Sequence, residues 1–70
     1  MAEDRGMNTR RDKYGFKAVS ETRVEHRSGW VIEHRDGRWR IHRADGTAFG
    51  SCDTLNEAKG VALFYMERAA

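Results

Sequence analysis

The chain has no proline and a single cysteine, Cys52. One cysteine excludes an intrachain disulfide and a cysteine-rich zinc site, and it fits a reducing compartment. Long apolar runs are missing too: the longest, Val61 to Met66, has six residues, against the ~20 that span a bilayer. The opening MAEDRGMNTRRDK carries acids and has no apolar stretch behind its charges, unlike a secretory leader. A cytoplasmic location with no membrane partner is the resulting expectation. At 70 residues the chain makes one small domain, and a domain of that size buries only about 60% of its unfolded surface. It has room for one thin core and little room for a closed catalytic cavity, which favours a binding module over an enzyme.

Residues 1–13 hold Arg5, Arg10, Arg11 and Lys13 among three acids, with almost nothing apolar except two methionines. A flexible arm is expected there, followed by a single domain over residues 14–70. Tyr14, Phe16, Ala18 and Val19 are the first residues able to touch a core. Their spacing does not choose between strand and helix, and the structure of residues 13–22 stays open.

From Arg23 the chain turns periodic in blocks of about eight: VEHRSGWV, IEHRDGRW, RIHRADGT. That unit is the spacing of successive hairpin strands and is too short for a solenoid. Asp36-Gly37 suits a two-residue turn with positive φ at both positions. Pairing Arg35 with Arg38 across it sets Trp39 opposite His34 and Ile41 opposite Ile32. Three-residue loops at Arg27-Ser28-Gly29 and Ala44-Asp45-Gly46 then set Val24 opposite Ile32 and Phe49 opposite Ile41. Because side chains alternate along a strand, Trp30, Ile32, Trp39 and Ile41 share one face, and Val31, Glu33, Arg35, Arg40 and His42 share the other. A one-residue slip would expose both tryptophans.

Thr54 and Glu57 form a T-x-x-E capping box that starts a helix. Leu55, Ala58, Ala62, Tyr65, Met66 and Ala69 fall on one of its faces, with Phe64 nearly opposite. The expected fold is therefore α+β: an antiparallel β-meander of three to four strands with one C-terminal helix packed on one face. The other face stays open to water or a partner.

Arg23, Glu33, Arg35, Arg38, Arg40 and His42 are the candidate nucleic-acid-binding residues of that open face, with Glu25 beside Arg23 on the first strand. Arginine can bond phosphates or guanine edges, and glutamate can accept from cytosine. Residues 23–43 carry six Arg against three acids, and residues 44–70 carry two basic side chains against four acidic, so the basic character belongs to the sheet. The plainer alternative is that an exposed sheet face is polar in any case, laced by Glu–Arg pairs worth tenths of a kcal/mol.

The stretch W30-V-I-E-H-R-D36, then F49-G-S-C-D-T-L-N-E-A58, and a helix ending E67-R-A-A70 resemble the AP2 DNA-binding domain of plant and phage-integrase relatives. The pattern of that family runs W-V-A-E-I-R-D, then L-G-T-F-D-T-x-E-E-A-A. The resemblance implies a three-stranded sheet on one helix, with the open face laid in the major groove of duplex DNA. It also implies that Glu33 and Arg35 face the DNA; the strand register independently places both on the open face. The chain departs from the pattern by an extra strand-like segment, Trp39 to Arg43, and by Ala48 where the family has a DNA-contacting aromatic.

Other chemistries find less support. His26 and His34 project to the core face and His42 to the other, so the three histidines cannot share one ion, and no metal site is expected. Cys52 and Ser51 precede the helix, but no histidine stands beside them and a buried structural cysteine is expected. No nucleotide-binding or paired-carboxylate pattern occurs; catalytic residues and cofactors are expected to be none. Trp30 and Trp39 share the parity of Ile32 and Ile41, which marks them as core rather than base-stacking platforms. Phe64 is a possible partner contact, although Tyr14 and Phe16 are expected to cover it.

The first expectation is thus a small duplex-DNA-binding protein of phage or mobile-element kind, with the Arg10-Arg11 arm adding nonspecific attraction. The alternative is a non-enzymatic interaction module, or a phage-type inhibitor that binds a host protein. Either is expected as a monomer or weak homodimer.

Overall fold

One turn construction occurs three times. At Asp12–Phe16, His26–Trp30 and Arg43–Thr47 the first residue's N–H donates to the last residue's carbonyl, at 2.7, 2.8 and 2.9 Å. The fourth residue, always glycine, donates back to the first residue's carbonyl at 2.8–3.0 Å. Gly15, Gly29 and Gly46 have φ of 96°, 103° and 92°, a region that L side chains rarely enter. The computed structural model describes residues 11–69; the rest of the expected arm, residues 1–10, lies outside the described residues.

The first of these turns leads into β1 (Phe16–Ser20); the other two and two tighter ones connect it to β2 (Arg23–His26), β3 (Val31–Arg35), β4 (Arg38–His42) and β5 (Ala48–Cys52), followed by α1 (Leu55–Ala69). The strands form one antiparallel sheet in chain order. The expected three to four strands become five, because residues 16–20, left open by their spacing, pair with β2. The missing sign was Gly15: its turn delivers Phe16 into the sheet, and an irregularity between Ala18 and Ser20 blurs the period-2 pattern beyond it.

Between Arg35 and Arg38, Asp36 (φ 53°) and Gly37 (φ 78°) both take positive φ, as a two-residue hairpin turn requires. The β3–β4 register is the expected one, with Arg35 opposite Arg38, His34 opposite Trp39 and Ile32 opposite Ile41. Val24 likewise stands opposite Ile32. Phe49 differs: Gly50 faces Ile41, Ala48 faces His42, and the register shifts between them. Phe49 is the extra residue of a β-bulge, which keeps its ring on the helix side while Ser51 falls on the opposite face with Arg40.

The core comprises Phe16, Val24, Ile32, Ile41, Ala58 and Ala62, with Trp30, Trp39, Phe49, Leu55 and Met66 half-buried around it. The two alanines let α1 approach the sheet closely. The Thr54 hydroxyl accepts from the Glu57 N–H at 3.2 Å and caps the helix, the half of the expected capping box that Thr54 supplies. Of the expected apolar stripe, Tyr65 remains 43% exposed, and the side chain of Ala69 lies outside the described set. Lys59 ties α1 to the start of the sheet: its ammonium stands 3.6 Å from Asp12 and over the Phe16 ring.

Candidate nucleic-acid interface

The face of the sheet turned away from α1 is set by the same alternation that buries Ile32 and Ile41. Val31 faces His42, Glu33 faces Arg40 and Arg35 faces Arg38 across the β3–β4 hairpin, while Arg23 faces Glu33 from β2. All six candidate residues therefore share one side. Lys17, opposite Glu25, joins them through the strand that the sequence left unassigned.

The arginines fall into two groups. Arg23 is gripped by two carboxylates: its Nε donates to Glu25 Oε2 and its Nη1 to Glu33 Oε2, both at 3.0 Å. The bond to Glu25 raises its pKa most, burial opposes, and Glu33 adds to the rise. Its charge is spent within the sheet. Arg38 and Arg40 lie nearer the hairpin tip, with side chains 48% and 50% exposed. Arg38 donates to Asp53 at 2.6 Å and to Ser51 Oγ at 3.0 Å; Arg40 reaches Asp36 at 3.3 Å. Both aspartates are more than three-quarters exposed, and exposed pairs of this kind contribute about 0–1 kcal/mol. Phosphate oxygens can replace these carboxylates at small cost. Arg35 is exposed and forms no salt bridge among the described residues.

Beside this row a shallow depression of about 350 Å³ runs along β4 and β5, lined by Arg40, His42, Ala48 and Ser51. A five-stranded sheet is about 19 Å wide at ~4.8 Å per step, whereas the major groove of DNA is ~12 Å wide. The full face does not enter such a groove. A two-stranded ribbon fits one, and the tip of the β3–β4 hairpin, with β5 alongside as far as Cys52 opposite Trp39, carries the three exposed arginines.

The histidines are dispersed. His26 is buried between Tyr14, Phe16 and Ser28. His34 is exposed and lies 4.7 Å from the Trp39 ring. His42 is half-buried on the open face. Among the described residues no three His, Cys, Asp or Glu side chains cluster as metal ligands. Cys52 stands opposite Trp39, half-buried rather than buried. Burial pushes its thiol up, Glu57 and Asp53 push the same way, and Arg38 opposes, so the thiolate is disfavoured. No described helix is long and apolar enough to cross a membrane.

Phe64 sits on the far side of the molecule, and the expected cover is absent. Phe16 is 2% exposed and Tyr14 51% exposed; Phe16 packs edge-on to His26, and Phe64, 52% exposed, contacts Tyr65 and Arg68 instead. Sequence reasoning missed the row that results, because Trp30, Phe49, Tyr65 and Phe64 come from three separate segments.

Comparison with known proteins gives no match: no family model, curated protein or solved structure is significantly similar to the chain.

Proposed function

We propose that the chain is a small duplex-DNA-binding protein that seats the β3–β4 hairpin in the major groove, with Arg35, Arg38 and Arg40 contacting phosphates or base edges. The observation that carries this reading is the placement of three exposed arginines on one side of a hairpin tip. Asp36 and Asp53 hold two of them extended until phosphate replaces the carboxylate. Glu33 and His42, further along the hairpin, add selectivity. The likeness of W30-V-I-E-H-R-D36 to the AP2 pattern points the same way.

A fluorescence titration with random-sequence duplex at two salt concentrations tests it. Affinity should fall steeply with salt as counterions are released, by a log–log slope of about −2.7 for three phosphates. The Arg35→Ala/Arg40→Ala double variant should keep its melting temperature and lose most of the slope. Unchanged binding by that variant would remove the reading.

A second reading, a protein-interaction module, has its own observation: Phe64 and Tyr65 are adjacent, exposed and in edge contact at 5.1 Å.

A further inference from the structure

Four aromatic rings run in contact across the helix side of the molecule. Trp30 meets Phe49 at 5.3 Å, Phe49 meets Tyr65 at 4.9 Å, and Tyr65 meets Phe64 at 5.1 Å. A cleft of about 440 Å³ opens among Trp30, Phe49 and Tyr65, walled by Arg43, Ala44 and Asp45 of the β4–β5 loop. Arg43 lies 5.0 Å from the centre of the Phe49 ring and Arg68 5.2 Å from that of Phe64. Neither arginine forms a salt bridge among the described residues. The carboxylate at the cleft, Asp45, is already engaged by the Thr47 N–H at 2.9 Å and hydroxyl at 2.7 Å.

We infer that this cleft docks a short acidic peptide segment of a protein partner, with an aromatic or leucine side chain seated among the rings and flanking carboxylates on Arg43 and Arg68. The charge pattern selects the occupant: an apolar seat with Arg43 on its wall and Arg68 at the far end of the ring row, against one lining carboxylate, Asp45, held by Thr47, complements an apolar anchor flanked by acids. Ring geometry argues against single-stranded nucleic acid. Bases stack on open, parallel faces, but these rings meet at 60–86°, and a guanidinium lies over each phenylalanine. The inference deepens the second reading above and is independent of DNA binding by the opposite face.

In a Trp39→Phe background, Trp30 is the sole tryptophan and its emission reports on the cleft. The capped peptide Asp-Glu-Phe-Leu-Glu-Asp should change that emission saturably. A version with Ala for Phe and Leu should not, and one with Lys for every acid should bind at least about fivefold more weakly. Arg43→Glu/Arg68→Glu should invert the preference between acidic and basic peptides. Tyr65→Ala should abolish binding of the acidic peptide while leaving its far-ultraviolet spectrum and duplex-DNA affinity unchanged, which separates this site from the sheet face. Three results would overturn the inference: no response to the acidic peptide up to millimolar concentration, equal or tighter binding of the basic peptide or of a thymidine dodecamer, or a concentration-dependent dimer in sedimentation that Phe64→Ser abolishes.

Discussion

The Nε2 nitrogen of His26 lies 2.7 Å from the Tyr14 carbonyl oxygen. A carbonyl only accepts, so Nε2 carries the hydrogen. On the other side of the ring the Ser28 N–H points at Nδ1 from 3.0 Å, so Nδ1 accepts. Both nitrogens are satisfied by a single neutral tautomer, and the ring joins the turn before β1 to the loop after β2. His26→Ala should cost about 1–3 kcal/mol, because it opens a cavity beside Phe16 and leaves two partly buried backbone groups without their partner. Urea denaturation measures this, and a loss below 0.5 kcal/mol, roughly the scale of a neutral surface change, would mean the ring is a bystander.

Gly15 belongs to the same contact. A Cβ there would stand 2.8 Å from His26 Nε2, on a backbone already at φ 96°. Gly15→Ala should therefore destabilise by about 1–3 kcal/mol. Gly46→Ala, at φ 92° with nothing within 4 Å of the added carbon, should cost less. Thermal melts of the two variants give the comparison; equal losses would assign the whole effect to backbone strain.

Asp12 gives the fold an acid-sensitive anchor. Burial works to raise its carboxyl, but N–H bonds from Phe16 and Tyr14 and the nearby Lys59 outweigh it, leaving the pKa below its ordinary value. A group lowered on folding adds stability above its unfolded pKa, about 3.9 for aspartate, and that contribution fades as pH falls through the folded value. Stability should decline below about pH 4. Asp12→Asn should show a shallower decline there and a lower plateau near neutrality. Asp45, lowered chiefly by the Thr47 N–H and hydroxyl, acts in the same direction and supplies part of the acid loss that persists. Superimposable profiles of the variant and the parent would contradict the anchor.

The two groups of arginines make opposite predictions for DNA. Arg23, held by Glu25 and Glu33, should tolerate substitution by Ala with little change in affinity. Arg38→Ala and Arg40→Ala should each reduce the salt slope by about one. Binding isotherms at four salt concentrations distinguish them, and an Arg23→Ala effect as large as that of Arg40→Ala would shift the interface toward β2.

Ala58 and Ala62 are both fully buried and set the spacing of α1 above the sheet. Ala62→Leu should cost about 1–3 kcal/mol through overpacking, while Thr54→Ala should cost about 1 kcal/mol through loss of the cap. The sites are far enough apart for the double variant to show the sum. Calorimetry on all three variants checks both values.

The β3–β4 register was legible because two independent signals, Asp36-Gly37 and the alternation of Trp30, Ile32, Trp39 and Ile41, demand the same pairing. The capped helix was legible from Thr54 and Glu57. β1 was not, since Phe16 and Ala18 offer only two turns of alternation before an irregularity, although the spacing of Asp12 and Gly15 matches the later loops. Phe49 was placed one residue out of register because a bulge adds a residue without marking it in the apolar pattern. The arginine face could be read from parity alone. Which arginines are held by carboxylates could not, because that depends on how far each side chain reaches across neighbouring strands.

The strand order carries a consequence for biosynthesis. Each strand after β1 pairs with the one made just before it, so hairpins can close locally as the chain leaves the ribosome, without waiting for distant segments. The lid for Ile32 and Ile41 is made after all five strands, in the fifteen residues of α1. Until those residues emerge, the nascent sheet carries an uncovered greasy surface, and a message truncated after β5 would release a product suited to aggregation and proteolytic clearance.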